Sequence, residues 1–226
     1  MPVTILSHPA CNRHNVGSDH PENPARLHAI SDQILSSGLE FVIHQRDAKA
    51  ADVEQIALAH DRAYIQSVIS KSPSTGQVWL DDDTAIMNKS LEAAMYAAGA
   101  GIMAVDLVMQ GHDQQVFCAI RPPGHHAESA QAMGFCVFNN IAIAAKYALA
   151  QYGLRRVAII DFDVHHGNGT EQIFRTDDRV MFCSSFEHPF YPYTDPIGTP
   201  LCLKMPLAAG SQGAAFRQAF TSEWLP

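Results

Sequence analysis

Short apolar, β-branched runs alternate with longer stretches of helical period along this chain. Val3–Ser7, Phe41–His44, Gln115–Ile120, Arg156–Phe162, Arg179–Ser184 and Leu201–Met205 read as strands, because each is a brief apolar run bounded by turn residues. Pro24–Ser36, Asp61–Lys71, Lys89–Gln110, Asn139–Tyr152 and Ala214–Trp224 read as helices. Pro24 brings a fixed φ to a helix start, and Gly111 and Gly153 stand just past helix ends, where a left-handed residue is needed. Strands alternating with helices predict an α/β fold, mostly parallel and three-layered. A chain of 226 residues can bury most of its surface around one core, so residues 1–226 are expected to form one domain. Such sheets bind ligands outside the carboxyl ends of their strands. The loops after Ile120 and Phe162 are therefore where chemistry is expected, and both are rich in histidine.

Composition narrows the classes. Hydrophobic residues make up 47% and charged residues 17%, as in a globular protein. The longest weakly polar stretch, Ala93 to Met109, contains Gly99, Gly101 and Asp106 and is expected to be a buried helix, not a membrane span. Met1 to Cys11 has no basic region followed by an apolar core, so no secretory signal is expected there. The net charge of -8 opposes attraction to phosphate backbones, which excludes direct nucleic-acid binding as an expectation. Five cysteines, at 11, 118, 136, 183 and 202, lack Cys-x-x-Cys spacing, which argues against a disulfide framework or a cysteine zinc site and for a reducing cytoplasm. Twelve histidines can mean metal, proton transfer or neither, and only their positions discriminate.

The segment Asp161-Phe162-Asp163-Val164-His165-His166-Gly167-Asn168-Gly169 follows the strong strand signal Val157-Ala158-Ile159-Ile160. Continued as a strand, it would point Asp161, Asp163 and His165 to one face and Phe162 and Val164 to the other. Zinc accepts both oxygen and nitrogen ligands, and a catalytic zinc keeps three protein ligands and one open position. Asp163 and His165 are two such ligands, although a strand that merely ends at the surface explains the triplet as well when it is taken alone. The second loop, Arg121-Pro122-Pro123-Gly124-His125-His126-Ala127-Glu128, sets two neighbouring imidazoles on a stiff Pro/Gly turn, where they suit a general base and a second proton donor. Surface His-His pairs are common, so the weight lies in the coincidence of two such loops at the same edge of one sheet.

Three ordered strings, Arg121-Pro122-Pro123-Gly124-His125-His126, Gly134-Phe135-Cys136-Val137-Phe138-Asn139-Asn140 and Asp161 to Thr170, resemble the core motifs of histone deacetylases and their bacterial relatives, including acetylpolyamine amidohydrolases. The likeness extends to His20-Pro21-Glu22-Asn23-Pro24-Ala25-Arg26 and to Phe190-Tyr191-Pro192, and Asn168 favours the class II branch. The resemblance implies an arginase-like α/β sandwich and a zinc-dependent hydrolase that removes acetyl or similar acyl groups from amines. It implies that Asp163 and His165 bind Zn2+, that Asp161 holds His125, and that Asn168 orients His126. His126 would be the general base and His125 the more cationic partner, because a carboxylate raises imidazole basicity more than an amide does. By the same resemblance Asp83, Gly134, Phe135 and Tyr191 would bind substrate: Phe135 and Tyr191 as aromatic tunnel walls, Asp83 as an acceptor for the substrate backbone. A structural K+ would be held by backbone carbonyls near Asp161, Asp163 and His165, with the strand around Ser184. Arg26 would line an inner cavity or form an ion pair, and His20 and Glu22 would be structural.

Two parts of the family pattern are missing. The third zinc ligand, an Asp in a Ser-Ala-Gly-Phe-Asp type motif, and the oxyanion-stabilising residue of a later glycine-rich loop are not found before Trp224-Leu225-Pro226. The C-terminal part of the catalytic domain is thus expected to be absent from residues 1–226, with either a further segment or a homo-oligomer covering the gap. Nothing around Asp195 resembles the missing motif, and Asp195, Glu187 and His188 would come into question as ligands only if these residues alone, as a monomer, held full zinc and turned over. Acetylated small molecules or acetyl-lysine proteins would be the partners of an active enzyme. A second reading is a catalytically inactive fragment of the same fold that serves as a binding or assembly module. A third, an arginase-like two-manganese enzyme, needs additional aspartates around the metal pair.

Overall fold

A computed structural model describes residues 3–225, leaving Met1, Pro2 and Pro226 outside. In chain order the elements are β1 (Val3–Ser7), α1 (Pro9–Arg13), α2 (Ala25–Ser36), β2 (Ile43–Asp47), α3 (Val53–Ile56), α4 (Arg62–Lys71), β3 (Gln77–Trp79), β4 (Ala85–Met87) and α5 (Ser90–Met109). They continue with β5 (Val116–Cys118), α6 (Asn140–Tyr152), β6 (Val157–Asp161), α7 (Asn168–Phe174), β7 (Val180–Glu187), β8 (Cys202–Leu207) and α8 (Gly213–Glu223). All six expected strands and all five expected helices are present, β1 with the expected bounds and the others with one or both ends shifted.

The parallel strands form two sheets. β2-β1-β5 is one and β6-β7-β8 is the other, and β3 and β4 make a separate antiparallel hairpin. β5 pairs only with β1 and β6 only with β7, so among the described residues both are edge strands, as are β2 and β8 at the other sides. Beside the β6 edge runs an open groove of about 550 Å³ lined by Ile141, Ile159, Ile160, Phe162 and Val164 among others. Ile160 is 52% exposed and Phe162 76% exposed, so apolar surface of the kind that sheets normally cover lies bare.

The core is built on alanine. Ala93, Ala94, Ala97, Ala98 and Ala100 of α5 and Ala142, Ala145 and Ala148 of α6 are buried, and the two helices pack on each other. Small side chains let the backbones approach, and a Cβ added at Gly101 would stand 3.1 Å from that of Ala144. Of the described helices, α5 alone is long and apolar enough to cross a membrane by composition. Its buried face also packs on α1, β1 and β5, as expected for a core helix.

Two expectations shift. The strand expected at Phe41–His44 begins at Ile43, because Gly38 (φ 71°) starts a 3-10 turn over Leu39–Phe41 that leaves Phe41 exposed. β2 is an edge strand of mostly polar residues, and its register follows pairing with β1 rather than apolar pattern. The strand after Arg156 ends at Asp161, so Asp163 and His165 lie on a loop and not on a continued pleat.

Candidate active site

The two histidine-bearing loops meet at the carboxyl ends of β5 and β6. The first starts at Arg121, which is 1% exposed and holds its place by an ion pair with Glu22, 1% exposed. Arg121 Nη2 donates to Glu22 Oε2 at 2.6 Å and Nη1 donates to the Cys11 carbonyl at 2.8 Å. His14 and Arg26 also face Glu22, at 3.4 and 3.6 Å. Burial opposes the charge on Glu22, but the bonds from His14 and Arg121 outweigh it and hold the carboxyl below its usual range. Glu22 and Arg26 line the cavity of the site, so the ion pair anchors the loop from beneath.

His125 Nδ1 lies 2.8 Å from Asp161 Oδ2, and His126 Nδ1 lies 2.8 Å from Asn168 Oδ1. The tautomer of His126 follows from its neighbours. Asn168 Nδ2 donates to the Glu128 carboxylate at 3.1 Å, so its Oδ1 must accept, His126 Nδ1 carries the proton, and Nε2 is left bare. The two imidazoles have unlike proton affinities. Burial, then the charge of His125, push His126 down to about 4. Burial also opposes charge on His125, but the Asp161 carboxylate outweighs it and raises that imidazole. At neutral pH His126 is a neutral acceptor beside a more readily protonated partner, with ring centroids 4.0 Å apart.

Asp163 and His165 are brought together by the loop itself. Asp161 Oδ1 accepts from the Asp163 N–H and Asp163 Oδ1 accepts from the His165 N–H, at 3.1 and 2.7 Å. These side chain to backbone bonds replace the strand pleat as the reason the residues cluster. Asp163 Oδ1 and His165 Nδ1 stand 3.1 Å apart at the wall of the cavity, and His165 is stacked on Phe190. A carboxylate oxygen and an imidazole nitrogen this close, both partly open, fit two ligands of one zinc ion. Among the described residues no third carboxylate is free there. Glu22 is spent on Arg121, Asp161 holds His125, Asp83 is hydrogen-bonded as given below, and Asp195 does not line the cavity. A second group of potential ligands, His166, Glu171 and Cys202, lies elsewhere. There the buried Lys204 ammonium already sits 2.9 Å from Glu171, so the cation of that cluster is the lysine, and the cluster braces the loop through His166 and Ser184.

The cavity between the loops has a volume of about 420 Å³ and is lined by His125, His126, Gly134, Phe135, Asp163, His165, Tyr191 and Asp83 among others. Gly134 (φ 59°) allows no side chain, because a Cβ there would meet the His126 ring at 2.3 Å. The Tyr191 ring stands edge-on to both His126 and His165, with centroids 5.1 and 5.7 Å away. Asp83, in the β3–β4 turn, accepts from the Gly134 N–H and the Thr84 hydroxyl through Oδ1 and from the Tyr191 hydroxyl through Oδ2. Expected as an acceptor for substrate, it lines the cavity and also makes these three bonds within the protein. The hairpin that places it was missed in the sequence, as were the Glu22–Arg121 anchor and the stacking of Phe190 on His165. Arg121 next to the motif and Phe190 next to Tyr191 were the signals available.

A histone deacetylase domain model matches residues 20–226. The uncharacterized protein slr0245 of Synechocystis sp. is 38% identical over 99% of this chain and 75% of its own length. Histone deacetylase 14, chloroplastic, of Arabidopsis thaliana is 36% identical over 98% of this chain and 58% of its own length. The crystal structure of the HDA15 HD domain superposes with a TM-score of 0.86 at 31% identity, covering 93% of this chain and 63% of that one. The chain belongs to the histone deacetylase family, with its arginase-like α/β fold, and spans only part of these relatives.

Proposed function

We propose that these residues form the proton-transfer half and two of the metal ligands of a zinc-dependent amide hydrolase that removes acetyl or similar acyl groups from amines. The supporting observation is the pair of unlike imidazoles, His126 on Asn168 and His125 on Asp161, beside the Asp163–His165 pair. Zinc held by Asp163 and His165 would polarise the acyl carbonyl and acidify water. His126, neutral and bare at Nε2, takes a proton from the attacking water, and His125 offsets the negative charge that grows on the carbonyl oxygen. The carbon–nitrogen bond then breaks, and the amine leaves with a proton returned from the imidazoles. Phe135 and Tyr191 flank the acyl-bearing chain with apolar ring faces. A structural K+ belongs to the same proposal. The Asp161 carbonyl, which accepts from the Ser185 hydroxyl at 3.4 Å, is one backbone oxygen that would serve it.

The third zinc ligand and the oxyanion donor come from outside residues 3–225, either from further polypeptide or from a second copy. On this reading acetyl-lysine proteins and acetylated small molecules are the substrates, and the five free cysteines suit a reducing cytoplasm. The test measures zinc content and hydrolysis of a fluorogenic acetyl-lysine substrate by residues 1–226 alone and within the longest native chain containing them. Zinc and turnover in the longer chain, with little in the shorter, is the expected result. No hydrolysis in either would favour a non-catalytic binding module, and full activity in the shorter would show a third ligand among Asp195, Glu187 and His188.

A further inference from the structure

We infer that Asp83 is a positioning residue that ties the two walls of the substrate cavity to each other, an inference that rests on the deacylase reading of that cavity. One wall is the Gly134–Phe135 backbone, in which both residues take left-handed φ values, 59° and 67°. For Phe135 this conformation is unfavourable and persists only where surrounding bonds enforce it. The bonds are present. Asp83 Oδ1 accepts from the Gly134 N–H at 2.8 Å, and Thr84 Oγ1 accepts from the Phe135 N–H at 3.0 Å while donating to Asp83 Oδ1 at 2.8 Å. The other wall is Tyr191, whose hydroxyl donates to Asp83 Oδ2 at 2.9 Å.

Three segments far apart in sequence, around 83, 134 and 191, therefore meet on one carboxylate. The turn carrying it is itself fixed, because Asp81 Oδ1 accepts from the N–H groups of Asp83 and Thr84. Through Tyr191 the clamp reaches the chemistry, since that ring stands edge-on to His126 and His165. A phenylalanine at 191 would offer the same ring face without the anchor. The tyrosine hydroxyl thus makes the spacing of the walls depend on Asp83.

The clamp differs from a carboxylate that only receives the substrate's backbone N–H groups, and substrate choice separates the two. An acetylated straight-chain monoamine has the lysine-like stem and no peptide backbone. Asp83→Ala, Asp83→Asn and Tyr191→Phe are compared with the unaltered protein, in the longest native chain, on this amine and on an acetyl-lysine peptide. The clamp predicts that Asp83→Ala lowers kcat/KM about tenfold on both substrates, the scale of a lost charged hydrogen bond. Most of that loss should appear as a raised KM. Asn, which can still accept from Gly134 and contact the Tyr191 hydroxyl, should restore most of it, and Tyr191→Phe should cost a few-fold. A loss confined to the peptide, or no loss, overturns the clamp. If the unaltered protein hydrolyses neither substrate, the deacylase reading fails by itself. Hydrogen exchange at the Gly134 and Phe135 amides then decides on the clamp, with faster exchange in Asp83→Ala supporting it and unchanged exchange refuting it.

Discussion

The loop after β5 and the loop after β6 supply the same site but are held in opposite ways. Arg121–His126 begins on a buried ion pair and ends on a buried imidazole, and its partners Glu22, Cys11 and Asn168 all lie within the described chain. Asp161–His165 is tied to itself through bonds two residues long, to His125 through the Asp161 carboxylate and to Glu187 through the Val164 carbonyl, yet it carries Phe162 and Val164 into the open groove at 76% and 49% exposure. The first loop is complete within the described chain, and on the proposed reading its histidines are ready for proton transfer. The second is finished only on the side facing the histidines, and its outer flank has the apolar character of a surface meant to be covered. Burial and polar satisfaction, more than the motif residues, separate a preorganised element from one awaiting a neighbour.

Breaking the first loop at its two ends should show how it is held and what it contributes. Arg121→Met leaves the Glu22 carboxylate buried without its guanidinium, and urea unfolding should show a loss of about 3–5 kcal/mol. Equal stability would mean that the anchor is dispensable. His126→Ala in the longest native chain should lower the deacylation rate on the order of a hundredfold or more, with zinc content unchanged. An unaltered rate would move the base to His125.

A smaller effect is expected from pH. The carboxyl of Glu22 is depressed in the folded state, so its contribution is present above the ordinary carboxylate range and disappears as pH falls through its lowered folded value. Glu22→Gln should therefore flatten the acid side of the stability profile, most visibly below about pH 4.5. A profile unchanged in shape would place acid sensitivity elsewhere. Phe162→Ser should shift folding stability least, within about 0.5 kcal/mol, because the ring is already in solvent. The same change should reduce self-association of residues 1–226 in light scattering, and unchanged association would show that the groove is not the contact.

Much of this was legible in the sequence because apolar runs and helix-end signals agree with the packing that resulted. β1 spans Val3–Ser7 as its pattern predicts, and Gly153 ends α6 in the left-handed conformation. The contacts of His125 with Asp161 and of His126 with Asn168 are those the family resemblance implies. The hairpin Gln77–Met87 was not legible, since its three-residue strands carry no period to detect, and without it the Asp83 contacts could not be foreseen. α7 was missed for a related reason: its Asn-Gly-Thr start reads as a turn, yet Asn168, Gly169 and Thr170 are buried and helical. The split into two sheets was also hidden, because pairing across a free edge depends on which strands lie beside it and not on the pattern of any one strand.

Zinc stoichiometry in the longest native chain bears most directly on the Asp163–His165 pair. Metal analysis of purified protein should find zinc in the unaltered chain and in His126→Ala, and loss of stoichiometric zinc in Asp163→Ala and in His165→Ala. Normal zinc occupancy in either of those two variants would contradict their assignment as ligands.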